Sequence, residues 1–163
     1  MNDIRQAAAV LFREAAYLDK GEWNAWVAMY RPDAVFWIPA WRDEYQTTED
    51  PQSEVSLIYH AERLGLEERI ARIESRKSIT ALPLPRTLHQ IGNVELVGAT
   101  ADRLEIESTF AVHVYDPRTA KEHTRYGRYE HALTREGDKW LIGRKKITLV
   151  NDKIPTVLDF YSV

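Results

Sequence analysis

The chain has 163 residues, 44% hydrophobic and 29% charged, with a net charge of -3 and no cysteine. This length makes a single domain, residues 1–163, with a core large enough to need no covalent staple. The missing cysteines exclude disulfides, thiolate-ligated iron–sulfur or zinc centres and cysteine nucleophiles, and the slight acidity argues against a nucleic-acid partner.

No run approaches the ~18 apolar residues of a membrane span. The start, Met1-Asn2-Asp3-Ile4-Arg5, lacks the basic and then apolar pattern of a signal peptide. A cytoplasmic protein is the expectation.

In chain order, Ile4, Ala8, Leu11, Phe12, Ala15 and Leu18 recur at helical spacing. Asn2 or Asp3 can cap this helix, and Gly21 stands where it ends. Trp23, Trp26, Val27 and Tyr30 suggest a second short helix, stopped by Pro32. Ala34–Ile38 reads as a buried strand ending at Pro39, and residues 40–53 as a long polar loop. A third helical region is expected from about Glu54 to Arg76, broken at Gly65, with Leu66, Ile70 and Ile73 on its apolar face. Pro83 and Pro85 close the helical half.

The second half changes period. Leu104, Ile106, Phe110, Val112 and Val114 alternate with polar residues, the mark of a strand with one buried face. Residues 86–98, 124–135 and 139–150 are also strand-like. Turns are expected at Gly98–Asp102, Asp116–Arg118 and Glu136–Asp138. The basic run Arg144-Lys145-Lys146 reads as the exposed edge or rim of a strand. Helices segregated from a meander predict an α+β fold, a curved antiparallel sheet wrapped around the N-terminal helices into a cone.

Three chemistries can be weighed on these residues. His60, His89, His113, His123 and His131 raise a metal site, for which His113 and His131 could meet across strands beside Glu107 or Glu130. Against it, the histidines are ordinary polar residues of half-exposed strands. A cone can also hold a small molecule, lined by Tyr17, Asp33, Trp37, His89, Tyr126 and Glu130, with His89 and a carboxylate as an acid–base pair. The plainer reading is that aromatic side chains fill the cone. No Gly-x-Ser-x-Gly elbow, phosphate loop or dinucleotide fingerprint is present.

The third reading concerns surfaces. Trp41, Arg42 and Tyr45 follow directly on a buried strand and are residue types enriched at interfaces, which makes them candidate inter-subunit contacts. The apolar segment 154–161 must dock on a partner or on its own domain.

Several stretches carry a family resemblance. They are Tyr17-Leu18-Asp19, Trp23-x-x-Trp26, Met29-Tyr30 and Asp33-Ala34-Val35-Phe36-Trp37-Ile38-Pro39-Ala40-Trp41, then Asp50-Pro51 and Ser56-Leu57-Ile58-Tyr59. Further on come Leu84-Pro85-Arg86-Thr87-x-His89-x-Ile91-x-Asn93-Val94 and Trp140-x-Ile142-x-Arg144-Lys145-Lys146-Ile147, with Asn151-Asp152. In this order the sequence resembles the small (beta) subunit of bacterial aromatic-ring-hydroxylating dioxygenases, most closely the benzoate, toluate and anthranilate branch.

The resemblance implies the cone-like fold shared with nuclear transport factor 2, scytalone dehydratase and ketosteroid isomerase. It implies a trimer of small subunits beneath three large (alpha) catalytic subunits. The Rieske 2Fe-2S cluster and the mononuclear Fe(II) would lie on the large subunit, fed from NADH by a separate reductase. No catalytic, cofactor-binding or metal residue is implied for this chain. The alternative is a free-standing isomerase or dehydratase of the same fold, or a small-ligand-binding module.

Overall fold

A computed structural model describes residues 2–75, 83–153 and 158–163. Helix α1 spans Asn2–Lys20 and buries Ala7, Leu11, Glu14, Ala15 and Leu18. The positions 7, 11, 14 and 18 form one stripe at helical spacing. Phe12, expected in that stripe, is exposed, and Glu14 is turned inward in its place. Gly21 ends the helix at φ +69, a left-handed conformation that only glycine adopts freely. Its N–H reaches the Leu18 carbonyl (3.2 Å) and that of Glu22 reaches Tyr17 (2.9 Å), a Schellman pair.

The short helix α2, Trp23–Val27, buries Trp26. Strand β1 then begins at Tyr30 and runs to Pro39, four residues earlier than expected. Tyr30 therefore faces the core from a strand and not from the helix. Pro32 falls where the ladder to β6 skips from Tyr30 to Val35, so its missing N–H breaks no pairing.

Residues 54–63 correct a second expectation. Ser56–His60 is strand β2, antiparallel to β1 with Trp37 opposite Tyr59 and Ile38 opposite Ile58. Helix α3 covers only Leu64–Glu74; Arg76 lies outside the described residues. The run Leu57-Ile58-Tyr59 has the β-branched and aromatic character that pairs well on a sheet edge, and the tertiary partner decides. Gly65 marks the start of α3 and not a break, because a Cβ there would run into the His60 imidazole.

Four long strands follow: β3 (Arg86–Ala99), β4 (Arg103–Asp116), β5 (Lys121–Glu136) and β6 (Lys139–Leu149). The sheet order is β2-β1-β6-β5-β4-β3. Every pairing is antiparallel except β1 with β6, which is parallel. Register shifts in β3 and between Ala132 and Leu133 give the sheet its curvature around α1. The architecture is the expected α+β cone.

The basic run corrects a third expectation, because β6 is a central strand. Strand alternation points Arg144 and Lys146 outward and buries Lys145, which is 1% exposed. A final 3₁₀ turn, Phe160–Ser162, is capped by Asp159. Phe160 stacks on Trp26 with ring centroids 4.7 Å apart. Residues 158–163 thus dock on their own domain; residues 154–157 lie outside the described residues.

Candidate functional site

The cone's interior is where a pocket enzyme of this shape would hold its substrate, and here a carboxylate occupies it. Glu14, 2% exposed, receives four donors. Trp26 Nε1–H (3.1 Å) and the Tyr30 hydroxyl donate to Oε2. His131 Nε2–H (3.0 Å) and Lys145 Nζ (3.1 Å) donate to Oε1. Lys145 also lies 4.3 Å from the centroid of the Tyr129 ring, a cation–π contact in a dry setting.

Burial alone would raise the Glu14 pKa, but the Lys145 charge and the bonds from His131 and Tyr30 outweigh it and hold the carboxyl well below its usual range. Desolvation dominates at the other two partners. It lowers Lys145 against the pull of Glu14, and lowers His131 with the Lys145 charge adding to the effect. Leu11, Leu18, His89 and Ile91 close around this cluster and leave no room for a water molecule. The four donors leave both carboxylate oxygens of Glu14 engaged.

The expected pairing of His89 with a carboxylate does form. Its Nδ1 lies 2.5 Å from Asp19 Oδ1 and its Nε2 3.1 Å from the Val163 main-chain oxygen. The Asp19 carboxylate also accepts from the His89 N–H (2.9 Å) and the Thr87 hydroxyl (3.0 Å). Burial pushes Asp19 up, and these hydrogen bonds outweigh it and lower its pKa. Both ring nitrogens are thereby engaged in tying the end of α1 to β3 and to the last residue. This dyad is a fastening.

The other expected cavity residues do not converge. Asp33 is exposed and paired with Arg31 (2.8 Å). Trp37 donates to Ser56 Oγ (2.9 Å). Tyr126 is exposed, Glu130 pairs with Lys146 (3.4 Å), and Tyr17 lines a groove beside α2. His113, paired with Thr124 and Gln90, and the buried His131 occupy opposite faces of the sheet. Among the described residues no three His, Asp or Glu stand where a metal ion could be held. With no cysteine in the chain, a Rieske cluster finds no thiolate ligands here.

The loop between β1 and β2 holds the three candidate contact residues. Trp41 Nε1–H donates to the Leu149 carbonyl (2.7 Å), which turns the indole onto its own domain. Arg42 forks onto Glu54 Oε2 through Nε (3.1 Å) and Nη2 (2.7 Å). Backbone N–H groups of Glu49 and Asp50, and then Arg42, lower the Glu54 pKa to about 2. Tyr45 is 85% exposed at the tip, over an Asx turn in which Asp43 Oδ1 accepts from the N–H of Tyr45 and of Gln46. Val55 at the loop's end is also strongly exposed.

Sequence reasoning did not single out Glu14 or Lys145 as a pair. The available signal was two opposite charges at core-facing positions, one on a helical stripe and one in a strand's alternation.

This topology, with the Glu14 cluster packed inside the curved sheet, defines an α+β protein with the nuclear-transport-factor-2-like cone fold. Residues 13–156 match the family described as "Ring hydroxylating beta subunit". The chain is 41% identical to the toluate 1,2-dioxygenase subunit beta of Pseudomonas putida, over 94% of this chain and 93% of that protein. It is 37% identical to the benzoate 1,2-dioxygenase subunit beta of Acinetobacter baylyi, over 98% and 94%. The solved beta subunit of the Burkholderia mallei benzoate 1,2-dioxygenase superposes with a TM-score of 0.80 at 34% identity, covering 96% of this chain and 95% of that one. The chain belongs to the ring-hydroxylating dioxygenase beta-subunit family and is a small subunit of such an oxidoreductase.

Proposed function

We propose that the chain is the non-catalytic small subunit of a terminal oxygenase that cis-dihydroxylates benzoate- or anthranilate-type acids, and that it holds the large catalytic subunit in place. In this reading three small subunits form a trimer beneath three large ones. The Rieske cluster and mononuclear iron lie on the large subunit, and a reductase delivers electrons from NADH. Residues Trp41, Arg42 and Tyr45 contribute to the inter-subunit surface, with Tyr45 as its protruding member. The complex works in the cytoplasm; among the described residues no helix is long and apolar enough to cross a membrane.

The single observation that carries the non-catalytic reading is the Glu14 carboxylate, held by four donors with no space for a water molecule beside it. A free-standing isomerase or dehydratase requires an acid–base pair with space beside it, and neither the Glu14 cluster nor the His89–Asp19 pair leaves such space where they meet.

The test is reconstitution with a large subunit of a benzoate-type dioxygenase, a reductase and NADH, assayed on benzoate. A His89→Gln small subunit that still assembles is expected to leave kcat/KM unchanged, because His89 only fastens the C-terminal segment. Loss of turnover in a normally assembled His89→Gln complex would assign this chain a part in the chemistry and overturn the reading.

A further inference from the structure

A cavity of about 320 Å³ lies between strand β2, helix α3 and the 158–163 segment. Its inner wall is apolar: Phe36 and Phe160 are each 1% exposed, with Ile58 and Leu158 beside them. A dry cavity of ~150 Å³ already admits a benzene ring, so one ring with a substituent fits here.

Two polar side chains converge on the wall. The His60 imidazole packs on Gly65, with its centroid 6.4 Å from that of Phe36, and makes no hydrogen bond to a described residue. Arg69 gives only Nη2 to Asp159 Oδ2 (2.5 Å), and its other donors have no partner among the described residues. The second Asp159 oxygen accepts from the Phe160 N–H (2.8 Å). Asp159 therefore steadies the guanidinium without saturating it. A fork of N–H donors beside an imidazole, at the rim of a ring-lined slot, is the donor set for a carboxylate carried on a ring. The larger groove beside α1 is walled mainly by exposed Gln6, Ala9, Arg13 and Ala25 and has no buried ring in its wall.

We propose that this cavity binds a single-ring aromatic carboxylate, the ring against Phe36 and Phe160 and the carboxylate on Arg69 and His60. The assignment rests on the cavity and not on the subunit reading; a chain that never assembled would still carry it.

The experiment titrates benzoate into the full chain, following the His60 ring resonances by NMR and the heat by calorimetry. A saturable 1:1 response at about millimolar concentration or below is expected. Benzyl alcohol, with the same ring and no carboxylate, should bind roughly 10-fold more weakly. Arg69→Lys, which keeps the charge facing Asp159 but loses the fork, should weaken benzoate by about 10-fold. Leu57→Trp fills the mouth from a position 37% exposed and should abolish binding while the circular dichroism stays native. A flat benzoate titration overturns the proposal. So does equal affinity for benzyl alcohol, or undiminished binding in Leu57→Trp.

Discussion

Glu14 and Lys145 stand 3.1 Å apart in an interior without water, and each is tolerable there only because of the other. Removing one partner leaves an uncompensated buried charge. Lys145→Met is expected to destabilise the chain by about 3–5 kcal/mol in urea unfolding. The double change Glu14→Gln with Lys145→Met should recover most of that loss, because it removes both charges and keeps an acceptor for Trp26 and Tyr30. If the double variant is no more stable than the single one, the cluster is not held by charge pairing.

The same cluster fixes the direction of acid sensitivity. His131 has a folded pKa below its ordinary 6.5, so the unfolded chain binds its proton first, and stability falls as pH drops below about 6.5. Glu14 has a folded pKa below 4.5, so its contribution is complete above that value and is lost as pH falls further. The melting temperature should therefore decline from neutral pH downward. His131→Gln, which keeps a donor toward Glu14, should flatten the portion between pH 7 and 5. An unchanged slope in that variant would place the titrating group elsewhere.

At the scale of elements, the β5–β6 pairing leaves no tolerance at Gly127, where a Cβ would collide with the Thr148 carbonyl oxygen. Gly92 has only Thr109 Oγ1 near that position, at 3.8 Å. Gly127→Ala should lower the melting temperature sharply or prevent folding, whereas Gly92→Ala should stay near wild type. Equal behaviour of the two would mean that the register of β5 on β6 is not as described.

The long strands were legible in the sequence because each has one buried face, so alternation alone marks them. Strand β2 was not, because five residues carry too little period and their partner β1 lies some twenty positions away. The stripe of α1 departs from hydropathy at one point. Hydropathy favours Phe12, while the geometry turns Glu14 inward to meet a lysine on β6, a contact that no local pattern encodes. Lys145 shows the same limit: a basic run has the composition of an exposed rim, and only strand alternation, residue by residue, turns its middle member inward. The surface loop was found by composition, but composition could not show that Trp41 faces inward and only Tyr45 stands free.

For the whole molecule, the Glu14 cluster occupies the part of the cone around α1, and the proposed assembly role falls to the outward surfaces. Tyr45, 85% exposed at the tip of the β1–β2 loop, is the member of the proposed contact set that stands clear of its own domain. Tyr45→Asp is expected to reduce recovery of the large subunit in a pull-down while leaving the melting temperature of the free chain unchanged. Trp41→Ala should lower that melting temperature as well, since it loses the bond to Leu149. The absent cysteines fit this division, because a Rieske cluster requires thiolate ligands that this chain does not contain.

The most direct measurement is the native mass of this chain co-expressed with a large subunit of a benzoate-type dioxygenase, with an affinity tag on this chain only. The account predicts one species containing both chains in equal number, three of each, that carries iron–sulfur absorbance the tagged chain lacks when expressed alone. A tagged chain that purifies as a monomer, without the large subunit and without colour, would contradict it.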